Sequence, residues 1–108
     1  MDDIKIVTIC GCPRFKEKID EIERLLTLTG HIALKCPFDN IEINGEFDEE
    51  ERCMLATLHL AKIKMSHAIY VIKMHGYITE DMYREIEYAK RNNIEIIYME
   101  GANVTNTY

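Results

Sequence analysis

The sequence predicts an α/β fold: a single flavodoxin- or Rossmann-like doubly wound domain with four parallel strands in the order 2-1-3-4. Three observations carry this. Short β-branched apolar runs alternate with helical stripes along the chain in the order βαβαβαβ, the pattern of a parallel sheet with right-handed crossovers. Gly11, Gly30, Pro37 and Gly76 stand where one period gives way to the next. The length of 108 residues is that of one domain, so residues 1–108 are read as a single unit.

Taken in order, Ile4-Lys5-Ile6-Val7-Thr8-Ile9-Cys10 is nearly continuous and β-branched, as a strand buried on both faces should be. Gly11-Cys12-Pro13-Arg14 breaks it. From Phe15 the period becomes helical, with Phe15, Ile19, Ile22, Leu25 and Leu26 on one stripe. Gly30 suits the left-handed position that ends this helix. His31 to Cys36 is the second strand, closed by Pro37, and Phe38 to Phe47 has no steady period and reads as a loop. Asp48 caps a long helix reaching about Met65, with Glu49, Glu50 and Glu51 at its positive end. Its apolar stripe is Met54, Leu55, Leu58, Ala61 and Met65. Ala68 to Ile72 is the third strand, and about Glu80 to Asn92 the third helix. Glu95 to Met99 is the fourth strand, and Gly101 onward reads as an exposed tail.

Composition narrows the function. A formal net charge of −6 repels polyanions, so a nucleic acid polymer or an anionic membrane is not the expected partner. A single nucleotide is still compatible, because a nest of backbone amides acts over a shorter range. The acidic start, Met1-Asp2-Asp3, is not a signal peptide, and no apolar run approaches the ~20 residues of a membrane span. The expected location is the cytoplasm, with the four cysteines as reduced thiols. Cys10 and Cys12 form a CxC, whereas a zinc site read from spacing needs a CxxC pair or a second ligand cluster. No metal or cofactor is therefore expected, and Cys10 and Cys36 are read as small hydrophobes in strands.

On such a sheet, ligands bind outside the carboxyl ends of the strands, where the strand order reverses. Two loops meet there: Gly11–Arg14 after strand 1 and Lys73–Glu80 after strand 3. Gly11 and Cys12 offer backbone amides to a phosphate or carboxylate, and Arg14 adds a planar fork of donors. A tight turn with a solvated arginine fits the same residues equally well. On the third helix, Met82, Ile86 and Ala89 form the sheet-facing stripe, and Glu85 lies beside it while Glu80, Arg84 and Glu87 point away. Glu85 either works in a site or complements the helix dipole while reaching outward. His59 borders the stripe of the second helix, where packing is its plainest role.

Taken together, these residues resemble the nucleoside 2-deoxyribosyltransferase family and its relatives that hydrolyse deoxynucleoside monophosphates. The resemblance rests on Cys10-Gly11-Cys12-Pro13-Arg14, on the register from His59 to Ser66-His67-Ala68-Ile69, and above all on Glu85-Ile86-Glu87-Tyr88-Ala89. It implies that Glu85 is a nucleophile that cleaves an N-glycosidic bond, or transfers a deoxyribosyl group, through a covalent sugar ester. It also implies a nucleoside or nucleotide as small-molecule partner and a homodimer. The expected crevice at the carboxyl ends of strands 1 and 3 has Gly11, Cys12, Arg14, Tyr77, Glu80 and Asp81 as candidate binding residues. The chain departs from the family at four positions. His59 and His67 stand where the family has acidic residues, Thr79 replaces an aspartate, and Thr8 replaces an aromatic residue.

His59 is then the candidate proton donor to the leaving base, since an imidazolium with a pKa near ~6.5 can donate. Lys62 should lower that pKa and Glu85 raise it. The alternatives are a non-catalytic nucleotide-binding relative and, less favoured, an interaction protein with no ligand.

Overall fold

The computed structural model describes residues 3–100, so the expected tail from Gly101 lies outside the described residues. Its strands are β1 (Ile6–Cys10), β2 (Ile32–Leu34), β3 (Ala68–Lys73) and β4 (Glu95–Glu100). They form one parallel sheet in the order β2-β1-β3-β4, as predicted. Its helices are α1 (Lys16–Leu28), α2 (Asn40–Gly45), α3 (Glu49–Lys64) and α4 (Glu80–Arg91).

Alternation along β1 divides the core in two. Cys10, with Ile69 and Val71 of β3, packs under α3 and α4 against Ile63, Met82, Ile86 and Ala89. Ile9, with Ile72 and Met99, packs against Ile22 of α1 on the opposite face. α3 and α4 therefore lie side by side over the same face as Cys10, which brings the site together.

The helix ends follow local chemistry. Gly30, at φ +94°, closes α1 with its N–H on the Thr27 carbonyl, and the His31 N–H reaches the Leu26 carbonyl. That pair of bonds is a Schellman motif. Asp48 caps α3 through a capping box with Glu51. Thr79 caps α4, its hydroxyl accepting from the Met82 N–H. Among the described residues, no helix is long and apolar enough to cross a membrane.

Two expectations are corrected. The stretch read as a loop holds α2, capped by Asp39 and Glu42 in a second capping box. At six residues it is too short for an apolar period to show. On α3, Met54, Leu58 and Met65 of the expected inward stripe are 58%, 50% and 60% exposed. The buried residues of that helix are His59 and Ile63. The neighbouring α4 sets the rotation of α3, turning a polar residue inward and an apolar ridge outward.

Candidate active site

A cavity of about 350 Å³ opens at the carboxyl ends of β1 and β2. Gly11, Cys12 and Pro13 form its floor after β1, and Lys35 to Phe38 form a wall after β2. α2 contributes Asn40, Ile43 and Asn44, α3 contributes Leu55, Ala56 and His59, and α4 contributes Asp81, Arg84 and Glu85. Gly11 permits close packing beneath this floor, because a Cβ there would stand 3.3 Å from Ile72 Cβ.

Of the expected residues, Gly11, Cys12, His59, Asp81 and Glu85 come together around this cavity. Arg14, Tyr77 and Glu80 are not among its lining residues. The Arg14 guanidinium lies 5.4 Å from the Tyr77 ring centroid and 5.9 Å from that of Phe15, in cation–π contact rather than aimed at the cavity. Residues 73–78, expected as one side of the crevice, leave that role to Thr79 and α4. The wall built by α2 was hidden in the apparent loop, and Asp39 three residues before Glu42 was its one legible signal.

On the cavity wall, His59 and Glu85 converge with the fully buried Cys10, which does not itself line the cavity. His59 Nε2 lies 3.6 Å from Glu85 Oε1 and 3.8 Å from Cys10 Sγ. The Cys10 sulfur and a Glu85 carboxyl oxygen lie within 4.8 Å of each other. Burial pushes Glu85 up from 4.5 to about 7, with the Asp81 charge adding to the rise while the neighbouring Cys10 thiol and Arg84 oppose it. Burial also raises the Cys10 thiol well above its ordinary value, and the Glu85 charge adds to that.

His59 moves the other way, from 6.5 down to about 4, through burial first and then the Lys62 charge. This corrects the expected imidazolium: Lys62 acts in the foreseen direction, but burial dominates and the ring is neutral at pH 7. Cys10, read as a small hydrophobe, is likewise more than packing, because its sulfur meets two polar groups. Spacing rules could not reveal this, since Cys10 and His59 lie 49 residues apart.

The family departures fall in different places. Thr79 keeps a capping role at the cavity edge. Thr8 is fully buried, its hydroxyl 2.6 Å from that of Ser66, which donates to the Lys62 carbonyl. His67 Nδ1 accepts from the Ile6 N–H at the amino end of the sheet, opposite the cavity. Its departure from the family pattern therefore leaves the site untouched.

No known family profile matches the sequence, and no curated protein matches it. Among solved structures, the chain is similar to a 2-deoxyribosyltransferase from the psychrotolerant bacterium Bacillus psychrosaccharolyticus. The TM-score is 0.71 at 15% identity, covering 94% of this chain and 77% of that one. At that identity the likeness establishes a shared doubly wound fold.

Proposed function

We propose that the chain cleaves, or transfers the sugar across, the N-glycosidic bond of a deoxynucleoside or deoxynucleotide, with Glu85 as nucleophile. The observation that carries this reading is the placement of Glu85: a largely buried carboxyl group on the wall of a cavity of about 350 Å³ at the strand carboxyl ends. Small-molecule pockets begin at roughly 300 Å³. The likeness in fold to a deoxyribosyltransferase supports the same chemistry.

In the first step, a Glu85 oxygen attacks the anomeric carbon, the carbon–nitrogen bond breaks, and the base leaves with its electron pair and takes up a proton. In the second, water or another base attacks the same carbon and frees Glu85. Neutral His59 holds its Nε2 beside the nucleophile as a positioning residue. Asp81, on the cavity wall, is largely exposed and ion-paired with Arg84, so the departing base takes its proton from water.

A second reading, a non-catalytic nucleotide-binding relative, is favoured by one observation. With a pKa of about 7, Glu85 is part-protonated at neutral pH, and in that form it donates a hydrogen bond instead of attacking. Incubation with deoxynucleosides and deoxynucleoside monophosphates, with and without a second base, separates the two. Base release or exchange, resolved by chromatography, is the expected result. Binding without turnover would favour the second reading, and neither binding nor turnover would refute both.

Self-association belongs to the same proposal. The outward ridge of Met54, Leu58 and Met65 on α3 is apolar surface of the kind a dimer covers. Sedimentation at micromolar concentration should give twice the chain mass, and a monomer there would remove the claim.

A further inference from the structure

We propose that Cys10, His59 and Glu85 form a three-donor site for a divalent cation of the zinc class, with a fourth coordination position opening on the cavity. The donors come from β1, α3 and α4, and their ligating atoms all lie within 4.8 Å of one another. The separations suit a tetrahedral ion. Bonds of ~2.3 Å to sulfur, ~2.0–2.1 Å to nitrogen and ~2.0–2.2 Å to oxygen place sulfur ~3.6 Å from nitrogen, and nitrogen ~3.4 Å from oxygen. The two separations from His59 Nε2, 3.8 and 3.6 Å, are within a few tenths of an ångström of these values. The sulfur and the Glu85 oxygen lie within 4.8 Å of each other, so a small inward shift of one side chain closes the site.

The sulfur–nitrogen distance is that of a weak hydrogen bond, but the nitrogen–oxygen distance fits hydrogen bonding poorly. A nitrogen–oxygen contact of 3.6 Å is too long for a bond of ordinary strength. Among the described residues, His59 Nδ1 has no hydrogen-bond partner, although the residue is only 9% exposed. The imidazole thus points Nε2 between a thiol and a carboxyl group without bonding the carboxyl group well. A cation on Nε2 leaves the ring proton on Nδ1.

The donor set selects the ion. Thiolate and imidazole favour zinc and cobalt over magnesium and calcium. One thiolate and one carboxylate also cancel a double positive charge, so the filled site adds no net buried charge. Binding displaces the thiol proton, and the Glu85 proton where one is held, into solvent. His59 and Glu85 line the cavity, which gives an ion its entry path to the buried Cys10 sulfur.

A consequence follows for the chemistry. With its oxygen on the cation, Glu85 cannot attack a sugar, so the ion inhibits glycosyl transfer. That consequence alone rests on the proposed function.

The test uses the full chain, stripped with a chelator and titrated with Co2+ as the spectroscopic probe. One Co2+ per chain should bind with a thiolate-to-cobalt charge-transfer band, and Zn2+ should displace it. Cys10→Ala should abolish the band. His59→Gln and Glu85→Gln should weaken affinity by at least about tenfold, the loss that even partners outside the coordination sphere produce. Cys53→Ser, at an exposed thiol, should change nothing. Circular dichroism of the metal-free variants checks folding; if Cys10→Ala fails to fold, Glu85→Gln carries the test. Absence of stoichiometric Co2+ binding overturns the proposal. So does a band that survives Cys10→Ala, or affinity unchanged in Glu85→Gln. If Co2+ binds as described but the stripped chain releases no base from any substrate, the cation site stands and the glycosyl-transfer reading falls.

Discussion

Replacement of Glu85 by glutamine is expected to abolish base release and, in the same protein, to increase stability above neutral pH. The catalytic loss follows from the chemistry, because an amide is a poor nucleophile and forms no sugar ester. Removal of a nucleophile typically costs at least ~10³-fold in turnover. Ligand affinity should be nearly retained, since the amide keeps the shape and one acceptor oxygen. The gain in stability follows from burial. Glu85 binds its proton more tightly folded than unfolded, about 7 against 4.5. Its contribution is fully present below pH 4.5 and is lost as pH rises through about 7. At about 1.4 kcal/mol per pKa unit, that loss is on the order of 3 kcal/mol by pH 8. Urea unfolding of chelator-treated wild type and Glu85→Gln should therefore diverge as pH rises from 5 to 8, the variant being the more stable. Coincident curves would show that Glu85 is solvated. Single-turnover base release measured on both proteins decides the catalytic half, and activity retained in the variant would exclude Glu85 as nucleophile. The acid limb of the wild-type rate should rise with a pKa near 7, since attack requires the ionised form.

His59→Asn should produce a stability difference of the same sign with the opposite pH dependence, growing toward lower pH. The buried imidazole resists protonation, with a pKa of about 4 against 6.5 when unfolded. Its contribution is present above pH 6.5 and is lost as pH falls through 4, again on the order of 3 kcal/mol. The groups facing it are Cys10 from β1 and Glu85 from α4, with Lys62 on its own helix. Between pH 4.5 and 6.5 the Glu85 and His59 terms have opposite slopes and largely offset each other in the wild type. The stability of His59→Asn minus that of wild type, both chelator-treated, should therefore climb as pH falls from 7 to 4. A flat difference would mean that the ring is solvated and free to protonate. The variant should also leave any fall in rate above pH 6 unchanged, because His59 is already neutral there. A limb that disappears in His59→Asn would restore the imidazolium donor.

The fold was legible because each of its determinants is local. The continuous β-branched run from Ile4 to Cys10 marks a strand covered on both faces. Gly30, Asp48 and Thr79 end or begin helices through bonds to backbone a few residues away. Connection length and handedness then restrict the strand order to very few choices. The position of Glu85 beside the stripe of Met82, Ile86 and Ala89 was likewise a property of helical period. α2 escaped because six residues are too few to display a period.

The sequence by itself determined the parallel sheet, its strand order and the inward edge of α4 that carries Glu85. Tertiary structure alone decided which face of α3 turns inward, and so whether His59 or the Met54–Leu58 ridge is buried. It also decided that Arg14 packs on Tyr77 instead of facing the cavity. The charge of each site group was settled at this level too. Desolvation depends on every element that closes over a side chain, and here β1, α3 and α4 together make the imidazole neutral and hold a proton on the carboxyl group to about pH 7.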